Sequence, residues 1–227
     1  MNWPIIKHNE SLFSIYQSTR KSPLGRRMII LKGEDTALMI HSSIALSESG
    51  YAELDTLGTV KYILIPNKWH TADAMEYKAR YPFAQILAPQ SLIPSLAIKG
   101  IQVNQTIESG WPASFLGTVA YRIPEGLKSP EVLLLHVPSK TLVAADMFFN
   151  FSARDFSGLT SVLMRLNGAT KGLCTTRAYK MSMIKTYSHW KNSLISLLND
   201  WGPEQLIVCH GHHVDSSAHD QIKRNVL

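Results

Sequence analysis

Short apolar runs separated by turn residues dominate the first half of the chain. "SLFSIYQS" (11–18) and "RRMIILK" (26–32) are rich in β-branched and aromatic residues. "GED" sets a turn between the second run and "TALMIHS" (36–42), so these two runs are predicted to form a hairpin. The period then changes over "SIALSESGYAELDTLG" (43–58), which reads as a helix. Ser47 is placed to cap it, Leu54 and Leu57 give it one apolar face, and Gly58 is a stop signal. "VKYILIP" (60–66) is a continuous apolar run ended by proline, the pattern of a buried strand. "DAMEYKARY" (73–81) predicts a short helix in which Asp73 and Glu76 have the spacing of a capping box, and "AQILAP" (84–89) predicts another strand.

The second half begins in the same style. "FLGTVAYRIP" reads as a strand, and "EVLLLHVPSKTLVAAD" as strand, Pro138-Ser139-Lys140 turn, strand. "FNFSARDFSGLTSVLMRLNGATKGLCTT" mixes signals with several glycines and reads as a lid-like or helical insertion. From Arg177 to Trp201 the pattern is helical: Tyr179, Met183, Tyr187, Trp190, Leu194, Leu197 and Trp201 recur at steps of three and four. That stripe is core, not a cofactor box. Gly202-Pro203 ends the helix, and "EQLIVCH" is the final strand. With no repeat, low-complexity tract or linker, residues 1–227 are expected to form a single α/β domain, two sheets sandwiched between helices.

Composition changes this picture little. The chain of 227 residues is 45% apolar and 18% charged, ordinary for a globular protein. Cys174 and Cys209 stand far apart, which argues against a disulfide framework or a cysteine-rich zinc knuckle. The opening "MNWPIIKHNE" lacks the pattern of a signal peptide, and no apolar stretch reaches the roughly 18 residues needed to cross a bilayer. A soluble, cytoplasmic protein with no membrane partner is the expectation. The net charge of +6 is spread along the chain, with modest clusters in "TRKSPLGRR" and "IKRN", so a solvated basic surface is favoured over nucleic-acid binding.

Candidate chemistry gathers where predicted strands end: His70 after "YILIPNKW", Asp146 after "TLVAA" and His210 after "LIVC". Layered α/β folds place chemistry at such positions, and two imidazoles with a carboxylate suit a divalent metal such as zinc. "LIVCHGHHV" adds His212 and His213 in the following loop.

In the order of these features the chain resembles the metallo-β-lactamase-fold superfamily, along nearly its whole length. "SKTLVAADMFFN" is similar to the segment in which a strand ends in the metal-bridging aspartate. "LIVCHG" resembles the last strand, which ends in a ligand histidine, and "MIILKGEDTALMIHS" the early hairpin. "YILIPNKWHTADAMEYKARYP" stands where the family carries its His-x-His-x-Asp-His loop. The resemblance implies a four-layer αββα sandwich.

The departures are as informative. If His70 takes the first histidine position of the loop, Ala72 and Ala74 occupy the next two ligand slots; if it takes the second, Lys68 replaces the first histidine and Asp73 falls on the last. The family's Gly-His-x-x-Gly-like turn corresponds to "PEGLKSPEV", with Leu127 or Lys128 at the histidine. The resemblance therefore implies a depleted ligand set without the standard dinuclear zinc site. His70, Asp146 and His210 are left to hold one zinc or other divalent ion, or none, and Asp73 and His210 are the candidate catalytic groups. Lys68, Lys128 and His212 are candidate contacts to a small-molecule ligand or substrate. A lysine ammonium at a vacated cation site would neutralise the carboxylates there. Asp73 also reads as a helix cap, His136 as a hairpin residue and Cys209 as a buried, inert thiol. Two functions follow from the resemblance: a non-catalytic or small-molecule-binding role, which the missing ligands favour, and a mononuclear metal-dependent hydrolase of an ester, thioester, lactone or phosphodiester.

Overall fold

Each predicted strand run becomes a strand in the computed structural model, which describes residues 3–19 and 22–227. Arg20 and Lys21, part of the basic cluster noted above, lie outside the described residues. The chain divides into two compact units: residues 1–17 with 26–119, and residues 18–25 with 120–227.

The first unit is built on a seven-stranded sheet whose strands follow chain order. They are β1 (Ile5–Asn9), β2 (Leu12–Thr19), β3 (Ser22–Lys32), β4 (Ala37–His41), β5 (Thr59–Leu64), β6 (Gln85–Ala88) and β7 (Gln105–Thr106). β3 and β4 form the predicted antiparallel hairpin, and β4 through β7 run parallel. Parallel neighbours need crossovers, supplied by α1 (Glu48–Leu57), α2 (Ala74–Arg80) and α3 (Ile93–Ile98). Ser47 caps α1 as its sequence suggests, its hydroxyl accepting from the Gly50 N–H. All five residues of β4 are buried, as in a strand covered on both faces. Met28, Ile30, Ile40, Leu54, Ile63, Tyr77 and Ile86 form the centre of this unit's core.

The second unit holds β8 (Val119–Arg122), β9 (Leu133–His136), β10 (Thr141–Ser152), β11 (Lys171–Cys174) and β12 (Gln205–Gly211). β10 is the organising strand: antiparallel to β9 and β11, parallel to β12. Helices α4 (Gly158–Leu166), α5 (Arg177–Met183), α6 (Tyr187–Trp201) and α7 (Ala218–Asn225) complete the unit. Its core gathers Leu142, Phe148, Met183, Trp190, Leu194, Leu198 and Val208. Among the described residues no helix is long and apolar enough to cross a membrane.

Two sequence expectations are corrected here. The helical stripe from Arg177 to Trp201 is two helices, with an extended Ile184 between them bridged to Leu127. The turn at Gly126 forces the break: its carbonyl accepts from Lys185 and Thr186, two amides that a continuous helix would have used. Gly126 has φ +72, and a Cβ there would meet the Thr186 carbonyl oxygen and the Trp190 nitrogen at 2.5 Å, so only glycine fits. β10 also does not end at Asp146 but continues six residues further, through Phe149 and Phe151. The supposed insertion is the end of this strand, followed by α4 and β11.

Candidate functional site

In the second unit, Asp146 and His210 come together on adjacent strands. β10 and β12 run in parallel register from Thr141/Gln205 to Ala144/Val208, then shift so that Phe149 faces His210. β10 thus spends residues 145–148 where β12 spends only Cys209. The bulge leaves amides without ladder partners, and Glu131 takes them. Fully buried, its Oε1 accepts from the N–H groups of Ala145, Asp146 and Met147 at 3.2, 3.0 and 2.8 Å. The Thr175 hydroxyl donates to the Met147 carbonyl at 2.8 Å. Burial, and then the nearby Glu131 and Asp146 carboxylates, push the Tyr179 phenol well above its ordinary pKa, so that it stays protonated.

The bulge carries the Asp146 carboxylate to 3.2 Å from His210 Nε2, with side chains only 10% and 15% exposed. His210 Nδ1 lies 2.8 Å from the Gly25 carbonyl oxygen, so Nδ1–H donates there. Phe149 stacks on the imidazole at 5.1 Å between ring centroids and 11° between planes. This assigns the tautomer and leaves Nε2 facing a carboxylate oxygen. An imidazole nitrogen and a carboxylate oxygen are thereby set side by side as two donor atoms on neighbouring strands. Gly211 makes the approach of the strands possible: at φ +102, a Cβ would stand 2.1 Å from the Asn150 carbonyl oxygen.

In the first unit, His70 lies in the loop between β5 and α2. The buried Asn67 shapes this loop, its Oδ1 accepting from the Trp69 N–H at 2.9 Å and the His70 N–H at 3.1 Å. Lys99 fastens the same loop by donating to the Lys68 carbonyl and to Thr71 Oγ1. Asp73 stands at the N-cap position of α2 as its sequence suggests, but its side chain makes no capping hydrogen bond and the capping box does not form. Its carboxylate accepts instead from the Ala45 N–H at 3.0 Å and pairs with Arg26 at 2.6 Å. Glu76 accepts from the Tyr51 hydroxyl. Long-range partners outcompete the local cap because an ion pair and an amide bond together outweigh one capping bond.

The remaining candidates have partners of their own. Lys68 lies over the Trp69 ring at 5.1 Å. The Lys128 ammonium donates to the Met181 carbonyl at 2.7 Å. His212, exposed, meets the Asp155 carboxylate at 3.1 Å, and His213 meets Asp215 at 3.2 Å. Burial raises Asp155, but the Ser152 amide and His212 outweigh it, and its pKa falls below the ordinary value. Cys209 is fully buried, as expected. His136 sits in the hairpin, bonded through Nδ1 to Ser139 Oγ at 2.6 Å. Glu131 and Asn67 were not singled out from sequence. A lone acid opening the apolar run "EVLLLH" and the Pro66-Asn67 turn were the available signals.

No family model matches the chain, and neither does any curated protein. Solved structures do. DIM-1 metallo-β-lactamase exposed to ceftazidime is 15% identical, with a TM-score of 0.67 over 99% of this chain and 96% of that one. FIM-1 from Pseudomonas aeruginosa, in its mono-zinc form, is 10% identical, with a TM-score of 0.61 over 94% and 90%. A metallo-β-lactamase from Pontibacter korlensis is 10% identical, with a TM-score of 0.63 over 96% of both chains. Identities this low carry fold and not activity. The mixed α/β architecture with two sheets, and its match to these structures along nearly the whole chain, show that the protein has the metallo-β-lactamase fold.

Proposed function

We propose that the protein is a divergent metallo-β-lactamase-fold protein that holds a single divalent metal ion, zinc by its donor chemistry, on His70, Asp146 and His210. In this reading the pocket binds a small molecule and lacks the dinuclear hydrolytic centre. Asp146 and His210, on adjacent strands of the second unit, offer a carboxylate oxygen and an imidazole nitrogen, donors that suit zinc, and His70 is the third ligand this reading assigns. The observation that carries the proposal is the Asp146–His210 pair, with His210 Nδ1–H committed to a backbone carbonyl and Nε2 turned towards the carboxylate. An outer-shell bond of that kind fixes the tautomer a metal-binding histidine needs. The other groups that could enlarge the ligand set are engaged elsewhere: Asp73 with Arg26, His212 with Asp155 and His213 with Asp215. Two metals would need a bridging ligand and about three further ligands each.

Bound there, zinc would supply a Lewis acid to a ligand's oxygen. The chain's own residues do the rest. Phe149 covers one face of His210, and the Glu131-filled bulge holds Asp146 in place.

Metal analysis of protein purified without chelator or affinity-tag metal tests the proposal. One zinc per chain at saturation is expected, lost in Asp146→Ala and His210→Ala and weakened as pH falls because protons compete for the imidazoles. Two well-occupied ions, or no zinc at saturating concentration, would overturn it.

A further inference from the structure

Helix α4 wears its apolar side outward. At 3.6 residues per turn, Leu159, Val162, Leu163 and Leu166 share an arc roughly 100° wide. These four side chains are 74, 53, 56 and 64% exposed. Met164, across the helix, is its one buried residue, and packs with Phe151, Phe156 and Ala169. Single exposed leucines are ordinary on protein surfaces; a full i, i+3, i+4, i+7 stripe facing water is not.

The stripe lies in a strongly basic stretch. Residues 151–185 carry six cations (Arg154, Arg165, Lys171, Arg177, Lys180 and Lys185) and one acid, Asp155. Asp155 is already engaged by His212 and the Ser152 amide. Arg165 is on the helix itself, and Arg177 donates to the Leu166 carbonyl at its C-terminal end. Lys171 pairs with Ser152 in the β10–β11 ladder, two residues from Arg154. All four of these cations are exposed.

We propose that α4 is a surface anchor for a bilayer containing anionic phospholipid. The aliphatic arc enters the interface between headgroups and acyl chains, and Arg154, Arg165, Lys171 and Arg177 approach the lipid phosphates. Charge decides between occupants. A second copy of this face would bring the same cations against themselves, whereas an anionic leaflet complements them. A peripheral anchor needs no spanning helix, and the inference is independent of the metal reading.

The test is co-sedimentation of the full chain with phosphatidylcholine vesicles, with and without phosphatidylglycerol. Binding is expected only to the anionic vesicles, and it should weaken as salt is raised. Leu159→Ser with Leu163→Ser should abolish it; both side chains are already solvent-exposed, so folding, followed by circular dichroism, should be unchanged. Each cation near an anionic surface is worth roughly fivefold in partitioning, so Arg165→Gln with Lys171→Gln should weaken binding by roughly 25-fold. Absence of binding to anionic vesicles, or binding that survives the serine pair, would overturn the proposal. So would a wild-type dimer in gel filtration that the serine pair converts to monomer without any vesicle binding, which would give the face to a second copy.

Discussion

Glu131 is the residue on which the Asp146 geometry turns. One buried carboxylate oxygen satisfies three amides that the β10 bulge removes from the sheet ladder. An unsatisfied buried amide costs about 1–3 kcal/mol, so Glu131→Ala should destabilise the protein by about 3 kcal/mol or more in urea unfolding. Glu131→Gln keeps a carbonyl oxygen of the same reach and should lose about half as much. If the proposed zinc site holds, both should also lower zinc affinity, the alanine variant by about 10- to 100-fold, because the Asp146 carboxylate would lose its backbone support. An alanine variant as stable as the wild type would show that the bulge holds its shape without Glu131.

At the scale of elements, the β9–β10 hairpin carries a pH dependence. His136 is fully buried, bonded to Ser139, which in turn contacts Thr141. Burial pulls its pKa from 6.5 down to about 4. Above pH 6.5 both folded and unfolded chains hold it neutral. As pH falls below that value the unfolded chain takes up a proton that the folded chain refuses until about pH 4, so stability is lost across this window. At pH 5 the loss is about 2 kcal/mol. Urea midpoints at pH 7 and pH 5 should therefore differ less in His136→Asn than in the wild type; equal differences would exclude His136 as the source. The hairpin itself was legible in the sequence because its signals are local: an apolar run, a Pro-Ser-Lys turn and a second run. The Ser47 cap was legible for the same reason. The gap between α5 and α6 was not, because Met183 and Tyr187 keep a step of four across the extended Ile184 and hide it. Nor were the bulge at Asp146 or the true partners of Asp73. Those depend on Glu131 and Arg26, groups far away in the chain. His70, Asp146 and His210 could be picked out as polar residues following apolar runs, while the groups that hold them, Asn67, Glu131 and Gly25, left only faint traces.

On the scale of the whole molecule, the chain shares a fold with β-lactamases along nearly its full length, and the function proposed above puts Ala72 or Ala74, and Leu127 or Lys128, where the family resemblance implies metal ligands. Removing a single positioned oxyanion stabiliser typically costs about 100- to 1000-fold in turnover. Hydrolysis of a chromogenic cephalosporin and of a glutathione thioester, with zinc added, should therefore be absent or slower than that of a dinuclear enzyme by at least about that factor. Robust zinc-dependent turnover abolished by His210→Ala would restore the hydrolytic reading. The contact from His210 to the Gly25 carbonyl has a different kind of consequence. It joins residues 185 positions apart, and the second unit counts residues 18–25 among its own. A fragment without residues 18–25 has no Gly25 carbonyl to orient His210, so that fragment and its complement, mixed together, should recover the orientation of the Asp146–His210 pair only when they reassemble around that bond.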